Sequence, residues 1–286
     1  MRKRRNFIPF LILFFIHTGL LGYAFYKKEN KKQLFTLLMS NIGLAYLFEF
    51  FVLNLFTAYT YKPGILKNAH LDNIFGAILS QAIFVPFTAV FLTARKVGWI
   101  GKLLSGVYFF LVEILFLKLG IFKRNWWKTV YTLIFTPFYF FISDYWELML
   151  RKKIPIIRYL SLFLMIMVTE ANLLFIFAVK RKLRFGLGRY HSWTEHFILV
   201  PLYAISLSLF ATWSFMKKNS WTVRLRVQLF TIGLNKLFEK TGLVKSGLGL
   251  FELINIHFLI VYLYGKYSVW ALDGLKKGEE EQLEEQ

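Results

Sequence analysis

Residues 7–26 read FIPFLILFFIHTGLLGYAFY, directly after the basic cluster Arg2-Lys3-Arg4-Arg5. A helix of about 20 apolar residues covers about 30 Å, the thickness of a bilayer's hydrocarbon core. A secretory signal has a shorter apolar core, of about 7–15 residues, and then a small-residue cleavage site. This run is longer and ends on Phe25-Tyr26, so it reads as a retained first transmembrane helix.

Blocks of the same kind fill the chain. Eight spans are expected, at about 7–26, 34–59, 73–94, 100–120, 127–149, 156–179, 193–216 and 247–265. Hydrophobic residues make up 57% of the 286 positions, and mean hydropathy is +0.49. The fold class that follows is all-α, a polytopic transmembrane helix bundle. Residues 1–270 form one transmembrane domain with no soluble domain. Residues 271–286 form an acidic tail, Glu-rich and without aromatics from Gly278 on, which is expected to be disordered.

Tyr59, Tyr61, Trp99, Trp126, Trp127, Tyr190, Trp193, Trp221 and Trp270 fall near the edges of the blocks, where rings with one wet end are favoured. Pro86, Pro137 and Pro201 lie within spans and predict kinks. Residues 221–246 are too polar to span easily. Val223, Val227, Phe230, Leu234, Leu237 and Phe238 make one helical stripe beside Arg224, Arg226, Lys236 and Lys240, the pattern of an amphipathic helix lying in the membrane interface. Residues 223–229 also alternate, which leaves a short strand open. The sequence carries no clear internal repeat.

The net charge of +20 comes from basic residues clustered in short loops, which points to anionic lipid headgroups as partners. No nucleic-acid-binding motif accompanies it, so no nucleic acid is expected. A partner membrane protein is compatible with the pattern. The Lys and Arg residues divide evenly between the two sides of eight spans, so the positive-inside rule gives no orientation. The Arg2–Arg5 cluster alone favours a cytoplasmic N-terminus, in a multi-pass protein of the cell membrane.

The absence of cysteine removes disulfides, thiolate metal sites and thiol catalysis. No His-x3-His, Glu-x2-His or Gly-x-Ser-x-Gly spacing exists, so neither metal-hydrolase nor serine-hydrolase chemistry has a motif. The Glu-Glu-x3-Arg pattern of intramembrane CAAX-type proteases is also missing. The glycines at 186–188 and 242–247 complete no phosphate loop. No cofactor and no metal is expected, and no catalytic set is visible.

What stands out is carboxylate inside apolar blocks. An ionisable group in hydrocarbon is costly, and is paired, buried in the bundle or functional. Glu49, Glu113 and Glu170 are the deepest and form a candidate ion path. Asp144 and Glu147, three apart on one helix face, could hold a cation or a shared proton; their ordinary role would be pairing with Arg151, Lys152 or Lys153. Glu195, His196, Glu252, Asn255 and His257 are further polar candidates, whose ordinary role is bonding between helices.

The stretch Glu113-x6-Gly120-x5-Trp126-Trp127-x3-Tyr131 joins a mid-membrane acid, a helix-ending glycine and an aromatic entry to the next helix. It resembles a hairpin of small polytopic membrane proteins of spore-forming bacteria. The resemblance covers about 20 residues and implies no residue roles. Two function classes follow: a non-enzymatic protein that transports an ion or small solute or scaffolds a membrane assembly, and a membrane enzyme or binding protein for a lipid or isoprenoid, whose chain the 33 Phe residues could line.

Overall fold

The computed structural model describes residues 6–272. The Arg2–Arg5 cluster and the expected acidic tail beyond Leu272 lie outside them. The chain divides into two compact units, Met1–Arg151 and Lys152–Gln286.

The first unit contains α1 (Phe7–Lys27), α2 (Lys31–Leu55), β1 (Tyr59–Tyr61), α3 (Ala69–Ala94), α4 (Trp99–Lys118), β2 (Phe122–Arg124) and α5 (Thr129–Arg151). The second contains α6 (Pro155–Val179), β3 (Leu183–Phe185), α7 (Trp193–Lys217), α8 (Trp221–Lys240), β4 (Val244–Ser246) and α9 (Leu250–Ala271). Six of these helices, α1–α4, α6 and α7, are long and apolar enough to cross a membrane. The chain is therefore a helical membrane protein. The blocks expected at 127–149 and 247–265 do form helices, α5 and α9. They are not among the six because polar residues lower their hydropathy, among them Ser143, Asp144 and Glu147 in one and Glu252, Asn255, His257 and Lys266 in the other.

Side-chain burial follows from having lipid as solvent. In α1 the buried positions are Phe10, Leu13, His17 and Ala24, one stripe at helical spacing. Ile8, Ile12, Phe15 and Ile16 on the remaining surface are exposed, which suits hydrocarbon and not water. The core of the first unit gathers Phe10, Leu53, Phe84, Phe109, Phe116 and Phe140 around the β1 side chain Tyr59. Asn68 caps α3, its side chain accepting from the His70 and Leu71 amides. Ser192 and Glu195 close a capping box on α7.

α2 and α3 each contain a π-helical turn, Phe50–Leu55 and Leu79–Phe84. Pro86 follows the second of these, where the helical ladder is already interrupted. Pro137 and Pro201 sit inside continuous helices.

The two units repeat one plan. In each, two helices are separated by a three-residue strand, a second helix pair follows with its own strand, and the two strands pair antiparallel. Tyr59, Thr60 and Tyr61 face Arg124, Lys123 and Phe122. Leu183, Arg184 and Phe185 face Ser246, Lys245 and Val244. The flanking bonds match as well. The Lys62 amide donates to the Ile121 carbonyl at 2.8 Å, as Gly186 does to Leu243 at 3.0 Å. The Asn125 amide donates to the Ala58 carbonyl at 2.9 Å, as Gly247 does to Lys182 at 2.8 Å.

Left-handed residues recur at the same places. Gly64 and Gly188 have φ of 72° and 74°, and Gly120 and Gly242 have φ of 70° and 73°. Such a φ favours glycine at a helix C-terminus, where it ends the helix. The sequence hides the repeat because two spaced glycines and loops of equal or nearly equal length mark this plan, while apolar positions vary freely. The only shared motif across the second strand is Gly120-Ile121-Phe122-Lys123 against Gly242-Leu243-Val244-Lys245.

The repeat assigns residues 221–246. They are helix α8 followed by β4, not the strand that alternation at 223–229 allowed. α8 occupies the place that α4 has in the first unit. It starts three residues after α7 ends, and its far end leads into β4, which pairs with the strand preceding α7.

Candidate functional site

The first unit contains a half-open cavity of about 420 Å³, within the range of small-molecule sites. Half of its lining residues are aromatic, with Tyr59, Tyr61, Phe109, Phe116, Trp127 and Phe135 among them. The elements explain why. β1 and β2 carry Tyr59, Tyr61 and Phe122 across the end of the helices, and the tight turn after β2 brings Trp127 back beneath them. Tyr59 meets Trp127 edge-on at 5.4 Å between ring centres.

The polar part of the wall is one carboxylate with its donors. Glu113 of α4 is buried. Its Oε2 accepts from the Thr132 hydroxyl, which itself accepts from Trp127 Nε1 at 3.1 Å. Its Oε1 is buried and has no partner among the described residues. Glu49 lies behind the wall: Tyr59 donates to its Oε2 at 2.7 Å and Gln81 at 3.1 Å, and its Oε1 has no partner. Tyr59 and Gln81 themselves line the cavity. Neither acid has a Lys, Arg or His partner among the described residues.

Glu170 belongs to the second unit. It is fully buried in α6, and the Tyr264 hydroxyl of α9 donates to its Oε1, leaving Oε2 unpartnered. The structure thus puts Glu113 on the cavity wall and Glu49 behind it, bonded to two lining residues, while Glu170 has a separate setting.

Asp144 and Glu147 part company despite their shared face. Asp144 takes Lys102 at 2.7 Å and the Thr93 hydroxyl at 2.6 Å. Glu147 takes Arg151 at 2.8 Å and Lys28 at 3.6 Å. Glu195 and Glu252 accept from the amides of Ser192 and Gly249 at their helix N-termini. His196 Nδ1 accepts from the Phe185 amide at 3.0 Å, fixing β3 on α7. Asn255 bonds the Phe251 carbonyl on its own helix, and His257 is buried with Nδ1 unpartnered. Among the described residues no group of three His, Asp or Glu is placed to hold a metal ion.

Three participants escaped sequence reasoning. Asp72 is buried and accepts from the Gly64, Ile65 and Leu66 amides at 2.8–2.9 Å, locking the loop after β1. The Pro63-Gly64 turn eight residues before it was the available signal. Lys102 is buried early in α4. Tyr59 looked like an interface ring but is a cavity wall, which only strand pairing could reveal.

Comparison with protein-family models, curated protein sequences and solved structures finds no match to this chain.

Proposed function

We propose that this protein handles a small, largely apolar solute in the membrane without catalysing a reaction, the cavity of the first unit being the binding site of a transport step. The observation that carries this reading is an aromatic cavity of about 420 Å³ with a buried, half-satisfied carboxylate on its wall. Solute sites in transporters lie near the midplane beside interrupted helices. Here the π-helical turns of α2 and α3 flank the site: Glu49 precedes one, and Ser80 and Gln81 belong to the other. Lipid or isoprenoid binding is the second reading, favoured by the aromatic wall.

The topology that goes with this reading has α5 and α9 crossing the membrane, which completes the eight expected spans, and α8 crossing as a ninth. α8 connects the far end of α7 to the hairpin at its start, so the two run side by side in opposite directions. At 1.5 Å per residue its 20 residues reach about 30 Å, enough for the hydrocarbon core. Arg224 and Lys236 lie toward opposite ends, from which long side chains reach headgroups. The setting is the cell membrane, with lipids as neighbours and the N-terminus in the cytoplasm, in keeping with the hairpin's resemblance to small bacterial membrane proteins.

Mass spectrometry of small molecules retained through purification tests the reading. A defined species held by the wild type and lost from Ala45→Phe, which fills the cavity, supports it. The same bulk lipids from both proteins overturn it. A retained isoprenoid moves the assignment to the second reading.

A further inference from the structure

We infer that the solute taken by the first-unit cavity is a lipophilic organic cation, a protonated amine or quaternary ammonium, with Glu113 as its counter-charge. This rests on the solute reading above and names the ligand class.

Three observations converge. The first is charge. Glu113 lines the cavity and its buried Oε1 has no protein donor, and Glu49 stands behind the lining residues Tyr59 and Gln81, also without a cationic partner among the described residues. An ionised carboxylate in a membrane interior is costly unless it is paired. A cationic ligand supplies that match, and a neutral or anionic one does not.

The second is the wall. Tyr59, Tyr61 and Trp127 share the cavity wall with Glu113, and Tyr59 meets the other two rings edge-on. Ring faces attract cations, and an aromatic cage is a recurrent receptor for quaternary ammonium. The third is size and donor number. A bare sodium or calcium ion needs a close shell of several oxygens. A cavity of about 420 Å³ lined mainly by carbon atoms offers no such shell and has room for an apolar body.

The repeat supplies an internal contrast. The position of Glu113 is held in the second unit by Asn235. Its amide is satisfied by the Tyr203 hydroxyl at 2.8 Å and the Thr231 carbonyl at 2.9 Å. Tyr59 and Tyr61 correspond to Leu183 and Phe185. The fold therefore does not need an acid or two tyrosines there, and the first unit carries them for another reason.

The test uses the full chain in phosphatidylcholine nanodiscs. Two probes of one shape are compared, (4-phenylbutyl)trimethylammonium and its uncharged isostere with carbon in place of nitrogen. Saturable binding is read by tryptophan fluorescence and by equilibrium dialysis. Wild type is expected to bind the cation at least about tenfold more tightly than the isostere. Glu113→Gln, checked for an unchanged unfolding midpoint, is expected to lose that preference. Trp127→Leu is expected to weaken the cation more than the isostere. Equal binding of both probes to wild type overturns the cation inference and leaves the solute reading standing. No saturable binding of either probe overturns both.

Discussion

Glu113 in α4 and Asn235 in α8 hold the same position in two copies of one helix. Gly120 follows the first and Gly242 the second at equal spacing, and both glycines are left-handed. One copy places a carboxylate with an unpartnered, buried oxygen in a cavity lining; the other holds an amide whose donor is fully engaged. The same scaffold thus carries a carboxyl group in one unit and a closed polar contact in the other. Where the plan repeats, differences in chemistry mark what is not required by folding.

If the glycines define the repeat, their replacement should cost alike. A Cβ at Gly120 or Gly242 meets nothing within 4 Å, so the only penalty is backbone strain. Gly120→Ala and Gly242→Ala are each expected to destabilise by about 1 kcal/mol, with asparagine less harmful at both sites. Unfolding in mixed detergent micelles measures this. A large effect at one site and none at the other would contradict equivalent roles.

α4 and α5 meet closely at Gly106. A Cβ there would overlap the Pro137 ring. Proline cannot yield like a flexible side chain, so Gly106→Ala should cost about 1–3 kcal/mol through displaced helices. Gly22→Ala, where nothing lies within 4 Å, is the matched control and should be nearly neutral.

The pair Lys102–Asp144 should respond asymmetrically. The Lys102 side chain is 4% exposed and that of Asp144 is 41% exposed. Asp144→Ala strands a buried ammonium and should cost about 2 kcal/mol or more, the Val97 carbonyl still accepting from it. Lys102→Met leaves Asp144 access to water and the Thr93 hydroxyl, so it should cost less. Thermal unfolding of both variants decides the order.

Tyr264 and Glu170 test whether a buried acid is structural. Tyr264→Phe leaves both Glu170 oxygens without a donor and should cost about 1–3 kcal/mol. Adding Glu170→Met removes the stranded group and should restore part of that loss. A double variant less stable than the single one would mean that Glu170 has another partner to satisfy.

The position of α8 can be read chemically, because the chain has no cysteine. Single cysteines at the exposed positions Lys218 and Lys245 bracket the helix. An impermeant maleimide applied to sealed vesicles should label one and not the other. Labelling of both from one face would return α8 to the membrane interface.

Much of the architecture was legible in the chain itself. Twenty-residue apolar blocks have few fates, because backbone groups in hydrocarbon must bond within their own segment. That constraint announced the helical membrane class and placed the helices, including α5 and α9. It also singled out Glu49, Glu113 and Glu170 as costly groups in need of a reason. Tertiary structure decided the rest. Only strand pairing between residues some 60 positions apart in sequence put Tyr59 and Tyr61 over the cavity and showed that α8 repeats α4. Only packing separated Asp144, turned toward Lys102, from Glu147, turned toward Arg151 and Lys28. Local sequence fixes which segments must be helices, because that depends on each segment's own hydrogen bonds and hydropathy. Which polar groups meet depends on distances between segments, and those come from the fold.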